Sequence, residues 1–221
     1  MNKEHVRARI KEIGIIPAVR LYSAEDALFA ADAVRSGGVP IVEVTMTVPG
    51  AVKVILELAR QSADIIVGAG TVLDVDTAHR CLDAGASFIT STGFDPELVE
   101  FALKSDVVVF PGACTPTEIL AAWREGSDFV KVFPCSAMGG AGYIRALKGP
   151  FPQIPMIASG GVNQQTAGDF ILAGAEAIGI GRDLIHQDAI RRREAGWIQE
   201  LARRYVRMVN EARGERRQHG I

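Results

Sequence analysis

Short runs of β-branched and other apolar residues recur along the chain, and segments of helical periodicity separate them. Strands that are apolar on both faces are typical of a parallel sheet covered by helices on each side. The alternation therefore predicts an α/β fold with a repeated strand-helix unit. The eight predicted strands lie at 14–20, 41–44, 65–67, 87–90, 107–110, 129–133, 156–158 and 177–180.

Helix-capping residues mark the starts of several segments between these strands. Ser23 precedes two carboxylates that favour the first turn of a helix, and Asp74, Asp95, Thr115 and Asn163 are capping residues of the same kind. The further predicted helices lie at about 50–60, 74–84, 95–104, 116–125, 140–148 and 163–173. Eight strand-helix units most economically close into a small, compact (β/α)₈ TIM barrel, and an open doubly wound sheet is the alternative.

The length and the ends of the chain fit one such domain. No Pro/Gly/Ser-rich linker divides the 221 residues, so we expect a single barrel over 1–221, with its core at about 14–190. The first 14 residues have the spacing of an amphipathic N-terminal helix. A C-terminal helix is predicted over 191–213, and the polar segment 214–221 is expected to be a frayed tail.

Charge and cysteine content restrict the partners and the compartment. Lys and Arg number 24 and Asp and Glu number 26, so the formal net charge of −2 provides no broad basic surface for nucleic acid or an anionic membrane. No segment has the apolar length of a membrane span or a signal peptide. The three cysteines form no Cys-x-x-Cys motif and cannot all pair, which favours a reducing compartment and predicts a cytoplasmic protein.

Lys131 and Glu43 are ionisable residues within apolar predicted strands. Burial disfavours the charged form of an amine, and a neutral amine can attack a carbonyl and form a Schiff base. A nearby carboxylate can carry the protons that imine chemistry requires. The structural alternative is that Lys131 and Glu43 form a buried ion pair without catalytic work.

The other polar residues of interest follow predicted strands, at the end of a parallel barrel where active sites form. Arg20 ends the first strand and could bind a carboxylate or phosphate, or simply pair with Glu43. Glycine-rich turns follow the last two strands, where phosphate commonly binds this architecture through backbone amides. These turns are Ser159-Gly160-Gly161 and Gly179-Ile180-Gly181.

Other site types find little support. Gly68-Ala-Gly-Thr71 is too short for a dinucleotide fingerprint, so no nicotinamide or flavin cofactor is expected. The histidines show no clustered ligand spacing, so no metal site is expected. Cys135 is interpreted as a small buried filler rather than a nucleophile, because no histidine lies nearby in the predicted strand.

Together and in order, eight motifs over roughly residues 10–190 resemble the 2-keto-3-deoxy-6-phosphogluconate (KDPG) and 4-hydroxy-2-oxoglutarate aldolase family. These are class I aldolases, which work through a Schiff base on a small (β/α)₈ barrel. The motifs are Pro17-Ala-Val-Arg20, Val42-Glu-Val-Thr45, Val67-Gly-Ala-Gly-Thr71, Phe110-Pro-Gly112, Thr115-Pro-Thr-Glu118, Val130-Lys-Val-Phe-Pro134, Lys148-Gly-Pro-Phe-Pro152 and Ser159-Gly-Gly-Val162.

The resemblance implies roles for individual residues. Lys131 would form the Schiff base and Glu43 would shuttle protons. The 2-oxo acid would be held by Arg20, Thr71, Thr47 and Phe133. The sugar-phosphate end would lie along Ser159, Gly160, Gly161, Gly181 and Arg182. It also implies small-molecule 2-oxo acid and aldehyde substrates, a homotrimer, and no metal or organic cofactor.

Three positions depart from the family pattern. Thr92 stands where many relatives have proline, and Ser159 replaces a usual threonine. Arg182-Asp183 follows Gly181 where a small serine is common. The arginine would strengthen an anion site at the phosphate end, whereas Asp183 would repel an anion.

The sequence therefore predicts a lyase that cleaves 2-dehydro-3-deoxy-6-phosphogluconate to pyruvate and glyceraldehyde 3-phosphate. Alternatives within the same chemistry are cleavage of 4-hydroxy-2-oxoglutarate, whose second product is glyoxylate, and cleavage of 2-dehydro-3-deoxy-6-phosphogalactonate. A different class of function is a noncatalytic binder of phosphorylated acids or an assembly subunit. The two charged residues predicted to be buried, Lys131 and Glu43, argue against this alternative, because buried charges add little to the stability of a scaffold.

Overall fold

The computed structural model describes residues 1–61 and 64–218, and its centre is a closed parallel barrel. The strand order is β5-β4-β3-β2-β1-β9-β8-β7-β6, and every pair is parallel. The strands are β1 (Ile15–Val19), β2 (Ile41–Thr45), β3 (Ile66–Gly70), β4 (Phe88–Thr90), β5 (Val108–Phe110), β6 (Gly112–Ala113), β7 (Val130–Val132), β8 (Met156–Ser159) and β9 (Ala177–Ile180).

The ninth strand is a continuation of the fifth. Only Pro111 separates β5 from β6, and proline has no backbone N–H to give to a ladder. The Pro111 carbonyl still accepts the N–H of Lys131 at 2.9 Å. Because β5 pairs with β4 and β6 pairs with β7, this single stretch closes the ring and the predicted (β/α)₈ barrel is confirmed.

Ten helices accompany the strands in the described ranges. Their bounds are α1 (Lys3–Ile13), α2 (Ala24–Ser36), α3 (Ala51–Gln61), α4 (Val75–Asp83), α5 (Pro96–Lys104), α6 (Pro116–Arg124), α7 (Ala141–Lys148), α8 (Ala167–Leu172), α9 (Gln187–Arg191) and α10 (Ala195–Gln218). Capping side chains start several as predicted, including Ser23, Asp74, Asp95 and Thr115. No helix within these ranges is long and apolar enough to cross a bilayer.

Aromatic residues fill the barrel interior below the polar end. Phe88 stacks on Phe110 with ring centroids 5.2 Å apart, and Phe110 meets Phe129 edge-on at 6.0 Å. All three are buried. At the amino-terminal end of β7, Lys3 of α1 pairs with Asp128 at 3.1 Å, and α1 packs against β5 and β9. The apolar interior therefore leaves the carboxyl ends of the strands as the polar face.

Helix α9 was not predicted, the C-terminal helix begins at Ala195 rather than at 191, and two further helix boundaries also differ from the prediction. The helix predicted from 163 begins at Ala167, because the Asn163 side chain accepts the N–H groups of Gln165 and Thr166 and forms a separate turn. The C-terminal helix continues to Gln218, so the frayed tail predicted from 214 is wrong for 214–218. Arg213 anchors this helix by donating to the carbonyls of Lys11 and Glu12. Residues 219–221 of the predicted tail lie outside the described residues.

Candidate active site

A lysine and a carboxylate meet inside the barrel. Lys131 lies in the middle of β7 and Glu43 in the middle of β2, which are not neighbours in the sheet. Their side chains reach inward, so that Nζ lies 3.4 Å from Oε2 and 3.5 Å from Oε1. Lys131 is 5% exposed and Glu43 is 3% exposed. The two charges are therefore paired in a space that largely excludes water.

A glycine on the neighbouring strand makes room for this pair. Gly70 ends β3 and pairs with Thr45 in the sheet. A Cβ atom added at Gly70 would overlap the Glu43 carboxylate, at Oε1 and at the carbons that carry it. The absence of a side chain at this position therefore lets Glu43 lie across β3 and reach Lys131.

Arg20 and Thr71 lie together at the rim, after β1 and β3. The Arg20 guanidinium lies 3.5 Å from the Thr71 hydroxyl, and the arginine is largely exposed. No ion pair joins Arg20 to Glu43 in the part of the chain described, so the alternative that Arg20 pairs with Glu43 is wrong. The guanidinium is thereby available to a ligand at the mouth of the barrel.

Thr71 adopts an unusual backbone conformation. Its φ of 58° lies in the left-handed region, which a β-branched residue rarely occupies. Such strain persists only where surrounding structure enforces it, and it is concentrated at functional sites. The strained turn carries the Thr71 hydroxyl to Arg20.

A threonine pair stabilises the adjacent rim, and only its second member, Thr47, was among the predicted site residues. Thr45 is fully buried, and its hydroxyl donates to the Val19 carbonyl at 3.1 Å. Its single proton is thus committed, so it accepts the Thr47 hydroxyl at 2.6 Å. This pair links the ends of β1 and β2 next to Arg20. The available signal was the spacing of Thr45 two residues after Glu43, which places both on one strand face.

A cleft of about 610 Å³ opens beside the buried pair, at the ends of β1, β8 and β9. Seven of the predicted site residues line it: Arg20, Phe133, Ser159, Gly160, Gly161, Gly181 and Arg182. The other four, Lys131, Glu43, Thr47 and Thr71, do not. Two residues of the cleft link the two sets. Arg20 contacts Thr71, and Phe133 directly follows β7, the strand that carries Lys131.

Backbone rather than side chains forms much of the cleft wall after β8. Gly160 and Gly161 have φ values of 88° and 85°, a conformation that other residues rarely adopt. Successive backbone groups in such turns form concave sites for anions. Arg182 is exposed in the same cleft, and no partner side chain binds it within the described ranges. The cleft thus combines backbone amides with two exposed guanidinium groups, those of Arg20 and Arg182.

Asp183 also lines the cleft, but its carboxylate already has partners. Oδ2 accepts the backbone N–H of Gln164 at 3.2 Å and the hydroxyl of Tyr205. Burial, followed by the contact with Asp183, raises the pKa of Tyr205, so its hydroxyl stays protonated. The sequence reasoning expected Asp183 only to repel an anion, and it missed Tyr205, which lies 22 residues further along the chain.

The cysteines and possible metal ligands fit no further site. Burial raises the pKa of the Cys135 thiol to about 12 and that of Cys81 to about 11, which suppresses the reactive thiolates. Cys135 packs as a buried residue at the end of β7. Within the ranges that the structure describes, no three His, Cys, Asp or Glu side chains converge as metal ligands.

Comparison with known proteins gives one consistent family. A 2-dehydro-3-deoxy-phosphogluconate aldolase of Pseudomonas aeruginosa is 36% identical over 174 residues, covering 77% of this chain and 79% of the relative. A KHG/KDPG aldolase of Escherichia coli is 32% identical over 193 residues, covering 87% and 90%.

A solved structure shows the same fold with a ligand. It is a KDPG aldolase from Legionella pneumophila with pyruvate captured at low pH as a covalent carbinolamine intermediate. The TM-score is 0.83 at 31% identity, and the match covers 89% of this chain and 96% of that one. The family model for KDPG and KHG aldolases matches residues 6–201. With a barrel of the same form and a lysine paired inside it, this chain belongs to the KDPG and KHG aldolase family.

Proposed function

We propose that this protein is a class I aldolase that cleaves 2-dehydro-3-deoxy-6-phosphogluconate to pyruvate and glyceraldehyde 3-phosphate. The observation that carries the proposal is the buried contact between Lys131 and Glu43, at 3.4 Å inside the barrel. An amine and a proton-accepting carboxylate in one water-poor space are the two groups that Schiff-base chemistry needs. The names of the similar proteins support the same reaction.

The reaction begins with attack of the Lys131 amine on the C2 carbonyl of the substrate. The carbinolamine that forms loses water and becomes an iminium ion, which draws electrons from the C3–C4 bond. Glu43 accepts the proton of the C4 hydroxyl as that bond breaks, so the aldehyde product leaves with a carbonyl at the former C4. The electron pair of the broken bond remains on the enamine attached to Lys131.

Completion requires two proton transfers and one water molecule. Glu43 returns its proton to C3 of the enamine, which regenerates the imine of pyruvate. Water then adds to this imine, and breakage of the C–N bond releases pyruvate and the free Lys131 amine. The iminium serves as the electron sink, so the proposed sequence calls on no metal or organic cofactor.

The two ends of the substrate would be bound by different groups. Arg20, Thr71, Thr47 and Phe133 would hold the 2-oxo acid, as the family resemblance implies, and the contact between Arg20 and Thr71 at 3.5 Å supports this assignment. Their polar members supply a guanidinium and hydroxyl groups for a carboxylate. The phosphate end is assigned to the cleft lined by Ser159, Gly160, Gly161, Gly181 and Arg182.

The alternative activity is cleavage of 4-hydroxy-2-oxoglutarate, and the names of the similar proteins do not favour it over the phosphorylated substrate. The exposed guanidinium of Arg182 lines the cleft and can pair with a terminal carboxylate as well as with a phosphate. The E. coli relative carries both substrates in its name. Comparing kcat/KM for the two substrates decides which anion the cleft prefers, and the same comparison includes 2-dehydro-3-deoxy-6-phosphogalactonate.

We also propose that the protein works as a homotrimer in the cytoplasm. The family resemblance supports the trimer, and the three unpaired cysteines support a reducing compartment. Light scattering during size-exclusion chromatography tests the assembly, with a mass of three times 23.7 kDa expected. A monomeric mass would contradict it.

Borohydride reduction in the presence of pyruvate tests the proposed function. The imine should be reduced to a stable secondary amine, so peptide mapping should find the adduct mass on the peptide containing Lys131. Omitting pyruvate or borohydride gives the controls. An absent adduct, or one on another lysine such as Lys148, would contradict the mechanism.

A further inference from the structure

The C-terminal helix reaches the cleft through one side chain. Tyr205, in the middle of α10, is fully buried, and its hydroxyl donates to Oδ2 of Asp183. The same oxygen accepts the N–H of Gln164 at 3.2 Å. One carboxylate oxygen therefore joins three parts of the molecule: α10, the segment after β9 and the segment after β8.

The two joined segments follow neighbouring strands, and both line the cleft. Asp183 directly follows Arg182, while Gln164 follows the turn that contains Gly160 and Gly161. In the segment after this turn, Asn163 Oδ1 accepts the backbone N–H groups of Gln165 and Thr166. The pairing of β8 with β9, in which Ser159 lies opposite Gly179, sets the basic spacing of the two segments. The Asp183 contact adds a direct link beyond the ends of the strands.

α10 provides a firm base for this contact. It packs against α8, which follows the glycine turn, and against α2 on its other side. Its buried members include Ile198, Leu201 and Val209 on the face that carries Tyr205. A hydroxyl on a packed helix holds its position better than one on an exposed loop, because the ring has few alternative rotamers.

We propose that Tyr205 and Asp183 are positioning residues that hold the glycine turn and Arg182 at the spacing required by the anionic end of the substrate. Neither residue touches the reacting atoms, which lie at Lys131. The inference rests on the proposed aldolase function and adds a determinant of phosphate affinity in the C-terminal helix. In this inference Asp183 stabilises the cleft wall through its hydrogen bonds and does not act by repelling the anion.

The test is Tyr205→Phe, which removes the hydroxyl and keeps the buried ring. We expect KM for 2-dehydro-3-deoxy-6-phosphogluconate to rise about tenfold, because a hydrogen bond to a charged group is lost, while kcat changes little. Pyruvate carries no phosphate, so its half-saturating concentration for borohydride trapping should stay within about twofold of wild type. Tyr143→Phe is the matched control, since its hydroxyl bonds a backbone carbonyl elsewhere.

Substitutions at Asp183 separate positioning from charge. Asp183→Asn keeps an oxygen that can accept both hydrogen bonds, so its KM should lie closer to wild type than that of Asp183→Ala. A lower KM in Asp183→Asn than in wild type would show that the carboxylate acts by repulsion, and would overturn the inference.

Two results for Tyr205→Phe would also overturn the inference. One is an unchanged KM for the phosphorylated substrate. The other is a rise in the half-saturating pyruvate concentration for trapping that equals the rise in KM. Failure of wild-type protein to form any pyruvate adduct would instead remove the proposed aldolase function. If Tyr205→Phe does not fold, the pair of Asp183 variants decides the question.

Discussion

The barrel centre and the rim cleft are built in opposite ways. At the centre, Lys131 and Glu43 project from strands, are almost fully buried, and contact each other at 3.4 Å. At the rim, glycine backbone and the exposed Arg182 face a cleft of about 610 Å³. Strands place reacting groups with little freedom, whereas loops can change without disturbing the core. In the proposed function, the reaction and the choice of substrate therefore belong to separable parts of one site.

The largest effect should come from removing the amine at the centre. Lys131→Arg keeps a cation beside Glu43 but cannot form an imine, so we expect kcat to fall by about four powers of ten or more. Steady-state release of pyruvate measures it. Lys148→Arg is the matched control, because Lys148 is a half-buried lysine that donates to the carbonyls of Pro152 and Ile154. Substantial activity in Lys131→Arg would show that the amine of Lys131 does not form the Schiff base.

Removal of the Glu43 carboxylate should cause the second-largest fall in kcat. Glu43→Gln retains the shape of the side chain but removes its ability to accept and return protons, so kcat should fall by about 10²–10⁴-fold. KM for the phosphorylated substrate should change little, because the proposed phosphate site lies in the rim cleft. A variant whose KM rises while kcat stays constant would assign Glu43 to binding.

A substitution at Gly70 should displace Glu43 without changing either Lys131 or Glu43. In Gly70→Ala the added Cβ would meet the Glu43 carboxylate, so Glu43 must move away from Lys131. We expect kcat to fall by about 10–100-fold, since misplacing a catalytic group by about 1 Å has costs of this size. Gly142→Ala is the control, because a Cβ there meets open space. Equal activity in both variants would contradict this explanation of Gly70.

The smallest effect should come from the rim. Arg182→Ala removes one exposed guanidinium from the cleft, so KM for the phosphorylated substrate should rise about tenfold with kcat nearly constant. Arg35→Ala is the control, because Arg35 is an exposed arginine that pairs with Asp32 within α2. A fall in kcat equal to the rise in KM would show that the rim takes part in the reaction itself.

Much of this architecture was predictable because its signals are local. Apolar runs and caps located eight strands and most helices, and the charges of Lys131 and Glu43 stood out within apolar strands. The division of the fifth strand into β5 and β6 at Pro111 was not predicted. A proline that interrupts the ladder of a continuous strand leaves the hydrophobic pattern unchanged. The end of α10 was missed because Arg213 is anchored by carbonyls near the other end of the chain.

The rim was less predictable than the centre for the same reason. Asp183 is polar and follows a strand, so its sequence context indicated repulsion of an anion. Its actual partners, Gln164 and Tyr205, become neighbours only when β8, β9 and α10 are assembled. The Thr45 and Thr47 pair likewise depends on the carbonyl of Val19, which belongs to a neighbouring strand. Contacts between distant segments have no periodic signature in the sequence.

Pyruvate trapping in the rim variant tests the separation of centre and rim most directly. Wild type and Arg182→Ala are incubated with a series of pyruvate concentrations, reduced with borohydride, and mapped for the adduct. We expect equal labelling of Lys131 with the same half-saturating pyruvate concentration in both proteins, because pyruvate lacks the phosphate that Arg182 would bind. Labelling at a residue other than Lys131, or loss of labelling in Arg182→Ala, would contradict the separation of centre and rim.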